Sequence, residues 1–211
     1  MNMYRLYNFP GAGGFAVQAL LEELGLPYEL IPLDYDASEH KKAPYTDLNP
    51  LGQVPTLVLP DGGVMTESAA ILLYLSDQES DAKLAPAPAD PLRRDYLRWM
   101  MMLTTSVYSA SLRSYHPEDF TAADDPKPIS EVADRQLEEQ WQIIEDELAA
   151  RGPWMLGEVY STADIYTMMI AHWVPDMAAN FAKHPNVKVL CDAVRARPAI
   201  ARILPQHDDH W

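Results

Sequence analysis

An apolar run over Tyr4 to Phe9 and an alternating apolar and polar stretch over Tyr28 to Asp34 predict two strands. Between them the run from Phe15 to Leu24 predicts a helix, which Gly25 stops and Pro27 follows. A short polar helix or turn is expected around Ser38 to Tyr45. Thr56 to Leu59 and Val64 to Thr66 then flank Asp61-Gly62-Gly63, a strong hairpin signal. Glu67 to Ser76 closes this part as a helix with Ile71, Leu72 and Leu75 on one face. The order strand, helix, strand, helix, two strands and helix implies a small mixed sheet whose first pair is parallel.

The pattern changes near residue 80. Residues 79–91, with Pro86, Pro88 and Pro91 among Ala and Asp, read as an extended linker. Everything beyond has helical spacing: Leu92 to Tyr115, Ile129 to Arg151, Thr162 to Met177, Val187 to Arg197 and Ala199 to Leu204. Pro153, Pro175, Pro185, Pro198 and Pro205 mark breaks or first turns. The expected organisation is an α/β domain over 1–78, a linker over 79–91 and an all-α domain over 92–211.

Composition narrows the partners. With 16 Lys and Arg against 31 Asp and Glu, the formal charge is −15, which disfavours nucleic acid and anionic membrane surfaces. The single cysteine, Cys191, excludes an internal disulfide framework, a C-x-x-C redox pair and a thiolate-rich zinc site, and reads as a buried small hydrophobe. No signal-like N-terminus or apolar run of membrane-spanning length is present. A soluble, cytoplasmic protein is expected. In the tail, His207, Asp208, Asp209 and His210 are possible metal ligands, but such tails more often stay solvated, and no metal is assigned.

Three stretches carry candidate chemistry. PGAGGF at 10–15 lies between a strand and a helix, where glycines let backbone N–H groups approach an anion. Its spacing matches neither G-x-x-x-x-G-K-[ST] nor G-x-G-x-x-G, so a tight turn with glycines at positive φ is the plainer reading. In LNPLGQVPTLVL at 48–59, Pro55 is either an ordinary edge residue or the site of a cis Val54-Pro55 bond that turns the Val54 backbone outward to pair with an extended peptide. In MTES, Glu67 and Ser68 open a helix. There they serve as cap and dipole compensation, with Thr66 or Ser68 as the cap, or they bind a substrate carboxylate.

Taken together, LNPLGQVPTL followed by MTESAAILLYL resembles the glutathione-binding signature of the cytosolic glutathione transferase superfamily, and the likeness extends over almost the whole chain. GEVYSTADIY at 157–166 resembles the signature of that family's second domain, where Ser161 and Asp164 would form a structural capping box. The resemblance implies a thioredoxin-like domain followed by an all-helical one, with glutathione as co-substrate, no metal, and a homodimer paired through the helix Leu92 to Tyr115. It also implies that Gln53, Val54 and Pro55 hold the cysteinyl backbone of glutathione and that Glu67 and Ser68 hold its γ-glutamyl end. Lys41 and Lys42, with His40, are the cations placed to meet its glycyl carboxylate.

Against bacterial beta-class relatives, whose turn reads P-G-A-C-S, Gly13 stands at the cysteine position and Gly14 at the serine position. Asn8 stands where tyrosine-type members carry the catalytic phenol. All three usual side-chain partners of the sulfur are thus replaced. A cysteine thiol has a pKa near ~8.5 and reacts as the thiolate, so activation falls to the N–H groups of Gly13, Gly14 and Phe15 at the helix start, or to the Asn8 amide. Asn8 serves equally well as a strand-end turn cap. Tyr108, where beta-class relatives place a histidine facing the sulfur, is the candidate donor on the electrophile side. Phe15, Ser111 and Tyr115 are the candidate lining of the second-substrate pocket, although the tyrosines, like Met100, Met101 and Met102, also read as ordinary core or interface residues.

Two classes of function follow. One is an enzyme joining glutathione to a small hydrophobic electrophile or displacing a leaving group from it. The other is a non-catalytic glutathione-fold binding protein. A disulfide oxidoreductase comes third, because position 13 is glycine.

Overall fold

The computed structural model describes residues 3–174 and 176–207, and it divides into two compact units. The first takes the described residues up to Lys83 together with those from Arg195 onward, and the second runs from Leu84 to Val194. The end of the expected 92–211 domain therefore clusters with the first unit.

In the first unit, strands β1 (Tyr4–Asn8), β2 (Tyr28–Pro32), β3 (Thr56–Val58) and β4 (Val64–Met65) form one sheet in the order β2-β1-β3-β4. β1 and β2 are parallel, and β3 is antiparallel to both β1 and β4. Leu30, Leu6, Leu57 and Met65 stand in register across the four strands. Because side chains alternate along a strand, Leu6 and Asn8 share the buried face, and the Tyr7 ring lies on the other, 5.8 Å from that of Tyr45. Helix α1 (Gly14–Leu24) packs on β1 and on α3 (Ser68–Gln78) through Phe15, Leu20, Leu21, Ile71, Leu72 and Leu75, all fully buried. The left-handed Gly25 (φ 64°) ends α1, with its N–H bonded back to Glu22. The polar stretch before β3 holds a 3₁₀ turn, Glu39–Lys41, and the short α2 (Tyr45–Leu48).

The second unit is helical: α4 (Arg93–Met102), α5 (Ser109–Tyr115), α6 (Lys127–Arg151), α7 (Thr162–Ala171), α8 (Met177–Lys183) and α9 (Pro185–Arg195). A π-helical segment, Leu103–Tyr108, joins α4 to α5 without a break. The Thr104 and Thr105 hydroxyls donate to the carbonyls of Met100 and Met101, 2.7 and 2.9 Å away, a back-bonding that bends helices. The helix expected over Thr162 to Met177 stops at Ala171, where His172 and Trp173 turn to i→i−3 bonds. Asp176 then caps a separate helix by accepting the Ala179 N–H at 2.9 Å; Pro175 lies outside the described residues. The expected capping box is present: Asp164 accepts the Ser161 N–H at 2.7 Å and Ser161 Oγ accepts from Ala163 at 3.3 Å. Cys191 is buried in α9 as expected.

The last described elements return to the first unit. α10 (Pro198–Ile203) packs on α1, and a 3₁₀ turn, Leu204–His207, follows it. Arg197 clasps Glu23 through Nε and Nη2 at 2.5 and 2.8 Å, a bidentate pair, and Arg202 meets Glu22 at 3.0 Å.

Candidate functional site

Register brings the motif pieces of the first unit to one end of its sheet. Asn8 ends β1 opposite Pro32, so residues 33–41 leave β2 at that end. Tyr7 pairs with Thr56, so Val54 and Pro55 enter β3 beside the end of β1. Leu57 pairs with Met65, so β4 also runs out there into Glu67 and Ser68.

The glycine turn is built around Asn8, which is 2% exposed. Its Oδ1 accepts the Gly14 N–H at 3.2 Å. An added Cβ on Gly14 would lie 2.3 Å from Asn8 Cγ, so glycine is required there for close approach. Neither Gly13 (φ −58°) nor Gly14 takes a positive φ; the left-handed residue of the turn is Gly11, at 74°. The turn's other amides are also engaged: Gly11 donates to His207 Nδ1 at 3.2 Å, Ala12 to Phe9 O at 3.3 Å, and Phe15 to Ala12 O at 3.0 Å. This corrects the expected trio of donors. The N–H groups of Gly14 and Phe15 are committed within the chain, and among the described residues only Gly13 in this turn keeps an unpartnered N–H. Since a backbone N–H can only donate, the Asn8 oxygen faces Gly14 and its Nδ2, with two further donors, points elsewhere without a partner among the described residues. Asn8 therefore caps the turn and keeps an amide donor as well.

The Val54-Pro55 bond is cis. Neither the N–H nor the C=O of Val54 has a hydrogen-bond partner among the described residues. The preceding Gln53 carbonyl, by contrast, is held by the Tyr45 hydroxyl and by Asn49 Nδ2 at 2.7 Å. That carbonyl can only accept, so Tyr45 donates to it and accepts from Thr56 Oγ1 at 2.8 Å. Gly52, at φ 58°, lies against the polar loop: an added Cβ would be 2.7 Å from the His40 carbonyl and 3.0 Å from Lys41 Cδ. The polar loop thus packs against Gly52, two residues before Val54.

The three expected cations separate. Lys42 Nζ is tied to the Ala37 carbonyl at 2.5 Å. Burial, and then the neighbouring Lys41, pull the His40 imidazole below its ordinary pKa, so it is neutral at pH 7. Its ring stacks on Tyr35 at 5.4 Å and lies 5.6 Å from Phe9. Lys41 is exposed and without a partner among the described residues, which leaves it as the cation of this loop able to meet a carboxylate.

At the start of α3, the cap position is Glu67 rather than Thr66 or Ser68, and no side chain caps the helix. Glu67 is exposed with φ 66° and ψ 103°, a conformation that costs a non-glycine residue about 1–3 kcal/mol and clusters at ligand sites. Ser68 follows, buried, at the positive end of the helix dipole.

In the second unit, Tyr108 ends the π-helical segment, its ring edge-on to Trp173 at 4.8 Å and stacked near Tyr166 at 6.3 Å. Tyr115 is exposed, with its phenol pushed up by partial burial. Two expected pocket residues are corrected. Phe15 is fully buried, with its ring edge-on to His207 at 5.0 Å. Ser111 is 2% exposed and donates to the Val107 carbonyl at 3.0 Å, so its hydroxyl is used inside the helix. Met100 is core, whereas Met101 is exposed.

Sequence reasoning missed Tyr45, Asn49 and Gly52, although Asn49-Pro50 is a turn signal. It also missed Gln18, and it read His207 only as a possible metal ligand of the tail, since no local pattern marks its contact with the turn. Among the described residues no group of three or more His, Cys, Asp or Glu is placed to hold a metal, and Asp208, Asp209 and His210 lie outside them. No helix among them is long and apolar enough to cross a membrane.

Residues 15–78 match the model of the glutathione S-transferase N-terminal domain and residues 98–198 that of the C-terminal domain. Glutathione S-transferase APIC of Nicotiana tabacum is 30% identical, over 87% of this chain and 88% of that one. A glutathione transferase homologue from Sulfitobacter, solved with bound glutathione, superposes with a TM-score of 0.87 at 26% identity, covering 96% of this chain and 97% of that one. The bacterial beta-class glutathione S-transferase of Sphingomonas chungbukensis gives a TM-score of 0.82 at 26% identity, covering 97% and 98%. With both domain models matched in order and the turn, the open Val54 edge and the Glu67-Ser68 helix start gathered at one end of the sheet, the chain belongs to the glutathione S-transferase family.

Proposed function

We propose that this protein binds glutathione extended along Val54 and uses its thiolate to attack a small hydrophobic electrophile. A carbon–sulfur bond forms, and either the leaving group departs with its electron pair or the attacked double bond takes up a proton. The Val54 N–H and C=O pair with the cysteinyl backbone, Ser68 and the α3 dipole bind the γ-glutamyl carboxylate, and Lys41 meets the glycyl carboxylate. Glu67 serves the γ-glutamyl ammonium. The thiolate is stabilised by the Gly13 N–H and by Asn8 Nδ2. Tyr108, in its aromatic cluster at the end of the π-helical segment, is the proposed donor toward the electrophile, with Tyr115 as a further contact. The observation that carries this reading is the Asn8–Gly14 bond, which spends the amide oxygen on the turn and leaves the Nδ2 hydrogens without a partner among the described residues.

The alternative, a binding protein that leaves the thiol unactivated, is favoured by the commitment of the Gly14 and Phe15 N–H groups. One titration separates the two. Thiolate absorbance of bound glutathione should appear at lower pH than that of free glutathione, and Asn8→Ala should raise the bound pKa by roughly one to two units, since a hydrogen bond to a charge contributes about 1.5–3 kcal/mol. A bound thiol with the free pKa selects the binding protein, and calorimetry showing no glutathione binding to folded protein removes both. We also propose a homodimer through α4, where Leu97 and Met101, 38% and 44% exposed, stand one turn apart; light scattering should give twice the mass of one chain.

A further inference from the structure

The bond from Gly11 to His207 ties the sulfur-side turn to a residue 196 positions away. His207 is 2% exposed, and its two ring nitrogens have different partners. Nδ1 faces the Gly11 N–H, which can only donate, so Nδ1 is the bare nitrogen. Nε2 therefore carries the proton and donates to Gln18 Oε1 at 2.8 Å. Gln18, fully buried in α1, passes its own N–H groups to Gln206 Oε1 at 2.7 Å and to the Tyr28 hydroxyl at 3.0 Å. Tyr28 in turn donates to Glu22 at 2.9 Å, and Glu22 is held by Arg202 of α10. The Phe15 ring packs edge-on against the imidazole.

We propose that His207 is a positioning residue of the glutathione site: in its neutral Nε2–H form it anchors Gly11 to α1 and so fixes the turn in which Gly13 presents its free N–H. This rests on the reading of Gly13 and Asn8 as the sulfur seat. Gly11 is the left-handed residue of the turn, and its orientation sets that of the next two peptides. The Ala12 N–H is bonded to Phe9 O, the Gly14 N–H to Asn8 and the Phe15 N–H to Ala12 O, all within the local chain, whereas the His207 bond reaches the turn from 196 residues away. Among the described residues, Gln18 and Phe15 on α1 lie against the ring and are uncharged, and one step further out Glu22 pairs with Arg202 and Glu23 with Arg197. A proton added at Nδ1 would place donor against donor at Gly11 and release the tether. The site therefore loosens on the acid side as His207 charges, while Asn8 and its bond to Gly14 carry no titrating group.

The test combines glutathione-free and glutathione-bound measurements. In ¹⁵N-labelled protein without glutathione, the Gly11 amide resonance should shift with pH along the titration of the His207 ring nitrogens. In His207→Ala, the Gly11 amide should exchange with solvent at least ~10-fold faster, a loss of about 1.4 kcal/mol of protection, and the thiol pKa of bound glutathione should rise by about one unit. His207→Asn places Oδ1 where Nδ1 stands, so it should keep the thiol pKa of the parent at neutral pH and lose the acid-side change in turnover. An unshifted Gly11 resonance across the imidazole titration overturns the inference. So does an unchanged thiol pKa in a folded His207→Ala protein that still binds glutathione. Should His207→Ala fail to fold, the Gly11 titration and the pH profile of His207→Asn decide. A parent protein that binds no glutathione removes the functional reading and this role together, and the Gly11 titration still shows whether the tether exists.

Discussion

Replacing Gly14 by alanine sets two opposed terms against each other. The new Cβ would lie 2.3 Å from Asn8 Cγ, 2.4 Å from Oδ1 and 2.7 Å from Nδ2. The Asn8 side chain cannot swing clear, because it is buried beneath the turn and held by the Gly14 N–H itself. Alanine gains up to about 1 kcal/mol over glycine at a helical position, and Gly14 has ordinary helical geometry. Against that, forcing extra volume into a packed site costs about 1–3 kcal/mol, and displacing Asn8 leaves a buried donor unsatisfied for about 1–3 kcal/mol more. The net expectation is a loss of about 3 kcal/mol, which at roughly 2–4 °C per kcal/mol lowers the Tm by roughly 6–12 °C. Urea unfolding of the parent, Gly14→Ala, Asn8→Ala and the double variant measures it. Trimming Asn8 removes the atoms that the new methyl strikes, so the double variant should be more stable than the sum of the singles by at least about 1 kcal/mol. A single variant within about 0.5 kcal/mol of the parent, or strict additivity in the cycle, would refute the reasoning.

Other outcomes follow from the same geometry. Gly52→Ala must hold a left-handed φ of 58° with its Cβ 2.7 Å from the His40 carbonyl, and backbone has less room to yield than a side chain; about 2–3 kcal/mol of stability should be lost, with weaker glutathione binding by calorimetry because Lys41 and Gln53 shift. Burial raises the Asp164 carboxyl to about 7 despite hydrogen bonds from Met155 and Ser161 that pull it down. Between pH 4 and 7 the folded chain thus holds a proton that the unfolded chain has released, so the Asp164 contribution to stability declines as pH rises through that window. Asp164→Asn should lack that decline, although it is less stable overall because its amide cannot accept from both Met155 and Ser161; matched urea curves from pH 4 to 8 would show a constant gap to the parent if the assignment is wrong. Lys41→Ala should weaken glutathione binding by about 1 kcal/mol, as for a partly exposed ion pair, whereas Lys42→Ala should leave it within about 0.5 kcal/mol; equal losses would return Lys42 to the carboxylate.

Much of this protein is written in short-range chemistry. An apolar run placed β1 and alternation placed β2, Gly25 and Pro27 marked the end of α1, Asp61-Gly62-Gly63 marked the hairpin, and the Ser161 to Asp164 spacing marked a cap. Each of these rests on hydrogen bonds and steric limits within about four residues, so the local sequence determines them. The resemblance of residues 48–57 and 65–75 to a glutathione-binding signature was likewise readable in the local sequence. Other features depend on what packing brings near. The Asn8 amide oxygen is spent on the glycine turn because β1 ends under the start of α1, which also makes Gly14 a matter of space rather than of φ. Phe15 and Ser111 fit a pocket by spacing, yet tertiary contacts use both in the core. Lys41 and Lys42 are neighbours with equal charge, and only the course of the loop gives one of them to Ala37. The link from His207 to Gly11 spans nearly the whole chain. Periodicity records which face of an element is buried, but the partner across that face is chosen by the packing of distant segments, and no local pattern carries it.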